Sequence, residues 1–98
     1  MVRSQTTDNA PWMGPTTVTS QTIFLVNKYP SPTVSYRLSY DKSTWQDREL
    51  EGIHSTSFTN IDILYVYING RVFPLTKGHI YYFIYSSGRG WEVAENPR

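Results

Sequence analysis

The chain contains no cysteine, which excludes disulfide cross-links, thiolate metal sites and a cysteine nucleophile together. Small secreted domains usually rely on cross-links to offset a thin core. Their absence therefore points to a reducing compartment or to assembly with further copies of the chain. No run approaches the ~18 apolar residues of a spanning helix, so membrane insertion is not expected. Met1–Ser20 is polar and lacks the apolar stretch of a secretory leader. No Asn-x-Ser/Thr sequon occurs. Cytoplasmic residence is the expectation, and a piece of a secreted protein or a virion component would carry the same features.

Charge is also scarce. Charged residues make up 17% of the chain, and nine Lys or Arg against eight Asp or Glu leave a net charge of +1. Nothing at that level draws the chain to nucleic acid or an anionic membrane. Arg37, Arg48, Arg71 and Arg89 are spread among acids and do not gather into a basic groove. Catalytic signatures are equally sparse, since Gly-x-Ser-x-Gly, His-x-x-x-His and a glycine-rich phosphate loop are all missing. His54 and His79 are the only imidazoles, too few and too far apart in sequence to suggest a metal site. Asp47, Glu49 and Glu51 alternate along one strand-like stretch. Paired carboxylates can hydrolyse glycosides, but a chain this short seldom builds the cleft they need, so a solvated strand face is the expectation. No enzyme, no metal and no cofactor are expected.

Ninety-eight residues suit a single domain. Aromatics reach 15%, with eight tyrosines, and Ser and Thr together supply 21 residues. That mixture fits half-buried strands and disfavours a helical bundle or coiled coil. Residues 1–21 read as a flexible polar arm holding one apolar island, Pro11-Trp12-Met13-Gly14-Pro15, and residues 22–98 as one β-domain. Thr22–Val26 is β-branched and aromatic. Val34, Tyr36, Leu38 and Tyr40 alternate with Ser35, Arg37 and Ser39, the pattern of a strand with one buried face. Asp41–Ser43 turns the chain and Trp45–Leu50 returns it, whereas Glu51–Asn60 offers only Phe58 as an apolar anchor. Ile63–Ile68 is apolar on both faces, which implies a central strand or half of a subunit contact. Asn69-Gly70 then predicts a type I′ hairpin, and Pro74 an edge position. His79–Tyr85, a glycine turn and Trp91–Ala94 complete the series. About seven short strands with regular turns predict an all-β fold, a small antiparallel β-sandwich of immunoglobulin-like type or else a small β-barrel.

Aromatics beside turns are the main functional clue. Trp45 follows Asp41–Thr44, and Trp91 follows Ser86–Gly90. Indole and phenol faces pack on the C–H faces of sugar rings, while neighbouring polar groups bond the hydroxyls. Trp45, Trp91 and Tyr40 are the candidate stacking residues, with Lys42, Gln46, Glu92 and Asn96 as candidate polar contacts. The stretch Thr33–Trp45 resembles one in starch- and glycogen-binding modules, where a Val-x-Val-x-Tyr strand leads through a turn to a Trp. Tyr81–Tyr85, Gly90-Trp91-Glu92 and Asn96-Pro97-Arg98 are similar to the closing strands of the same group. The resemblance spans Thr22–Leu50 and Ile80–Arg98. It implies an immunoglobulin-like sandwich, binding tryptophans at Trp45 and Trp91, and Asn96 as a polar contact. Ser35 stands where some members carry a sugar-stacking His. The expected function is a non-catalytic glucan- or glycan-binding module or lectin. The alternative is a structural or protein-interaction domain forming a homo-oligomer, as in a phage or virus particle.

Overall fold

The computed structural model describes residues 6–11, by backbone alone, and residues 20–95. The described residues form nine strands: β1 (Thr6–Pro11), β2 (Thr22–Asn27), β3 (Val34–Ser39), β4 (Gln46–Leu50), β5 (His54–Thr59), β6 (Ile63–Ile68), β7 (Arg71–Thr76), β8 (His79–Ser86) and β9 (Gly90–Ala94). They build two sheets, one in the order β1-β5-β2-β8-β9 and the other β4-β3-β6-β7. The expected all-β sandwich is therefore the fold; the sheets stay open, so the barrel alternative falls away, and no helix occurs among the described residues. Within the segment expected as an arm, Thr6–Pro11 runs as a strand beside β5, with a register shift between Thr7 and Ala10. Met13–Pro15 and Trp12 lie outside the described residues.

Alternation places the core. Val34, Tyr36 and Leu38 of β3 point inward while Ser35 and Arg37 face solvent. Leu64, Val66 and Ile68 of β6 meet them from the neighbouring strand, and Ile23, Leu25, Phe58 and Phe83 close from the opposite sheet. At about 1.5–3 kcal/mol for each large apolar side chain removed from water, this layer dominates the stability. Tyr40 breaks the predicted alternation: it lies beyond the end of β3 and is 39% exposed.

Three further features refine the sequence reading. β6 lies between β3 and β7, which explains its apolar character as that of a central strand. The Asn69-Gly70 hairpin has φ of 57° and 75° at its two central residues, the pair of positive values a type I′ turn requires. Pro74 sits on β7, an edge strand of its sheet, opposite Tyr65. Counting from the closing Ile68–Arg71 pair, Val72, Pro74 and Thr76 direct their backbone groups away from β6, so the missing N–H of Pro74 costs no ladder bond. At Thr76 that outward N–H is taken by the Tyr81 hydroxyl, 3.0 Å away in the other sheet.

Two elements were not foreseen. β5 carries the nearly polar stretch His54-Ser55-Thr56-Ser57-Phe58-Thr59, yet it pairs with both β1 and β2. β2 and β8 run parallel, the one parallel pair among the described strands. A single buried polar side chain locks the sheets at one end. The Asn27 amide donates to the carbonyls of Pro32 (3.0 Å) and Leu50 (3.1 Å), and its oxygen accepts the Tyr29 N–H at 3.2 Å. Asn27 is fully buried and fully satisfied, as a polar group at that depth must be.

Candidate functional site

The loop between β3 and β4 organises itself around two side chains. The Ser39 hydroxyl accepts the backbone N–H groups of Asp41 (3.2 Å) and Lys42 (2.8 Å) and donates to the Asp41 carboxylate at 2.9 Å. That carboxylate accepts the N–H groups of Ser43 and Thr44 at 2.8 and 2.9 Å. These charge-assisted bonds, Thr44 and Ser43 first and the Ser39 hydroxyl next, hold the Asp41 carboxyl below its ordinary pKa of 3.8. Lys42 adopts a φ of 65° at the tip. Such local side-chain-to-backbone bonding is how Asp and Ser build tight turns, and it delivers Trp45 to the start of β4.

Trp45 shares its face with Asp47 and Glu49, the outer face of the four-stranded sheet, because Leu50 and its alternates turn inward. Its indole meets Tyr67 of β6 at 5.9 Å between ring centroids with the planes at 61°. The Lys42 ammonium lies 5.2 Å from the ring centre of Tyr65, on the same face of β6. Arg37 bonds Asp47 across β3 and β4 at 3.0 Å. Both partners are more than half exposed, so the pair adds shape more than stability. Alongside these rings runs a shallow open groove lined by Ser35, Arg37, Asp47, Glu49, Tyr67 and Asn69. It offers hydroxyl, guanidinium, carboxylate and amide groups beside an aromatic surface.

Trp91 occupies different surroundings. It stands in the other sheet, at the end of the sandwich, and packs against the core. Tyr29 meets it edge-on at 5.7 Å and Tyr85 at 5.3 Å. Tyr85 is 54% exposed, the most open large aromatic of the described residues. The Trp91 carbonyl accepts from Arg71 at 3.3 Å and from Asn69 at 3.4 Å, which ties the β6–β7 turn to β9.

The structure thus brings Tyr40, Lys42, Trp45 and Gln46 together around one loop, and sets Trp91 and Glu92 apart from them. Gln46 is half-buried and its side-chain oxygen accepts from Arg48 at 2.9 Å. Glu92 is 17% exposed in its side chain, with Arg89 at 3.9 Å. Asn96 lies outside the described residues. Tyr65, Tyr67, Arg37 and Asn69 were missed as site residues. The available signal was the pair of tyrosines at alternate positions of Ile63–Ile68, which marks an aromatic face opposite Leu64 and Val66. His79 bonds Glu95 at 2.6 Å and His54 bonds the Gly52 carbonyl at 2.7 Å. No group of three or more His, Asp or Glu side chains gathers for a metal among the described residues. Compared with known proteins, the chain matches no family model, no curated sequence and no solved structure.

Proposed function

We propose that the chain is a non-catalytic saccharide-binding β-sandwich whose ligand lies on the outer face of the four-stranded sheet. The observation that carries this reading is the Trp45–Tyr67 pair beside the groove of Ser35, Arg37, Asp47, Glu49 and Asn69. A sugar ring presents C–H groups to an aromatic face and hydroxyls at its rim. The groove supplies the complementary set, with donors on Arg37 and acceptors on Asp47, Glu49 and the Asn69 amide oxygen. Asp47 and Glu49 balance Arg37 and Arg48 in the groove lining, and the absence of net charge favours a neutral saccharide such as a glucan. The pre-formed loop at Ser39–Thr44 holds Trp45 in place before binding and so lowers the ordering cost. An open groove of this size gives weak affinity, on the order of micromolar to millimolar. Trp91 and Tyr85, with Tyr29 edge-on, form a second aromatic patch in the other sheet.

The test is a titration of the purified chain with maltooligosaccharides and a panel of other neutral glycans, followed by intrinsic tryptophan fluorescence. A saturable change for one sugar class, lost in Tyr67→Ala and weakened in Asp47→Ala, is the expected result. A flat response across the panel in a folded protein overturns it.

A second reading rests on the same sheet. Tyr67 is 38% and Val72 42% exposed on neighbouring strands, beside half-buried Ile63, Tyr65 and Trp45. An aromatic and aliphatic band of this kind also suits contact with a second protein chain. Light scattering separates the two: a monomer that responds to sugar supports the first, and a stable oligomer indifferent to sugar supports the second.

A further inference from the structure

Asn69-Gly70 is the only Asn-Gly pair in the chain, and it does more than close a hairpin. The Asn69 side-chain amide donates to the Arg89 carbonyl at 2.9 Å and to the Trp91 carbonyl at 3.4 Å. Arg71 donates to the same Trp91 carbonyl at 3.3 Å. A methyl group placed on Gly90 would come within 2.7 Å of the Asn69 amide nitrogen, so that amide is pressed directly onto the β8–β9 turn. Strands from two different sheets are latched here by one neutral amide and one guanidinium.

We propose that Asn69 is a spontaneous deamidation site whose conversion releases this latch. The backbone nitrogen of Gly70 attacks Cγ of Asn69. The N–Cγ bond forms, the Cγ–Nδ2 bond breaks, and Nδ2 leaves as ammonia with the proton lost by the Gly70 amide. Water then opens the resulting succinimide at either carbonyl, leaving aspartate or isoaspartate. Glycine is the following residue that hinders the attack least, because it has no side chain. Asn69 and Gly70 are both exposed, and no atom lies within 4 Å of where a Gly70 side chain would begin. The two bonds made by the amide hold it on its carbonyl partners, so ring closure waits for the turn to let go. The folded chain therefore reacts more slowly than the unfolded one.

The consequence follows from donor and acceptor counting. An amide nitrogen that donates to two carbonyls is replaced by an ionised carboxylate, which only accepts. Two carbonyl oxygens then face an anion, and Arg71 is drawn from the Trp91 carbonyl towards the new charge. Both donors leave Trp91 at once. An isoaspartyl link also adds a methylene to the backbone of a turn that has room for two residues only.

The experiment is to age the full chain in mildly alkaline buffer, folded and in urea, and to map products by peptide mass spectrometry. Nitrogen–proton spectra follow the indoles of Trp91 and Trp45. The expected result has position 69 converting ahead of Asn27 and Asn60, several-fold faster in urea. The Trp91 indole signal shifts in step with conversion and that of Trp45 stays put. Asn69→Asp, made genetically, reproduces the Trp91 shift and lowers the melting temperature without any isoaspartate. The proposal is overturned if another asparagine of the folded chain converts first. It is equally overturned if position 69 converts, or is substituted by Asp, while the Trp91 signal and the melting temperature stay as in the unmodified chain.

Discussion

Replacing Trp45 or Trp91 by alanine separates a ring that closes the core from a ring that stands on a surface. Trp91 packs against the core cluster and meets two further rings, at 5.7 and 5.3 Å. Each such aromatic pair is worth roughly 0.5–1.5 kcal/mol beyond the area it buries. Adding the apolar area lost from a half-buried indole puts Trp91→Ala at about 3 kcal/mol, the low end of what full core truncation of a tryptophan costs. Among the described residues, Trp45 pairs with the ring of Tyr67 alone, on the outer face of its sheet. Its replacement forfeits one ring pair and a modest area, about 1 kcal/mol. The gap of about 2 kcal/mol corresponds to roughly 8–16 °C in melting temperature for a domain of this size. Thermal unfolding followed by circular dichroism, with urea titration as a check, reads it directly. Equal losses, or a larger loss for Trp45→Ala, would refute the reasoning: Trp91 would then not be the plug at the end of the sandwich.

Two further outcomes are expected. A methyl group on Gly52 would lie 2.1 Å from the Pro30 carbonyl oxygen and 2.7 Å from that of Tyr29, both backbone atoms, beside the bond from the Ile53 N–H to Tyr29. Gly52→Ala should therefore cost about 2–4 kcal/mol in a urea titration, whereas Gly88→Ala, with nothing within 4 Å, should leave the midpoint unchanged. Asp41 has a folded pKa below its ordinary 3.8, so its charge adds stability above that value and the contribution disappears as pH falls through the folded pKa. Asp41→Asn should accordingly melt below the unmodified chain at neutral pH, with the two curves converging in strong acid; a gap independent of pH would contradict the assignment.

The strands that could be read from sequence are those whose side chains alternate against one core. β3 shows this in Val34, Tyr36 and Leu38, and β7 announced its edge position through Pro74. β5 was hidden because only Phe58 among its six residues is apolar. Thr56 is nonetheless 2% exposed, buried by the strands on either side and not by its own hydrophobicity. The aromatic signal at Trp45 was legible for the same reason as the turn before it: Asp41 and Ser39 form bonds within a few residues. Tyr67 and Arg37 were not legible as its companions, since β3 and β6 become neighbours across more than twenty residues of intervening chain. Trp91 shows the opposite limit. Its sequence setting after a glycine turn is much like that of Trp45, yet one indole closes the core and the other lies on a sheet face.

Local physics was sufficient for whatever acts over a few residues. The all-β class, the type I′ turn at Asn69-Gly70 and the edge role of Pro74 follow from backbone sterics and period-two patterning, which any short segment carries with it. Only the tertiary structure could decide the order of the strands, the parallel β2–β8 pair, the face on which each tryptophan stands, and the bonds from Asn69 to the opposite sheet. Those depend on which segments, distant in the chain, bury each other's apolar faces, and that choice is settled by the whole core at once.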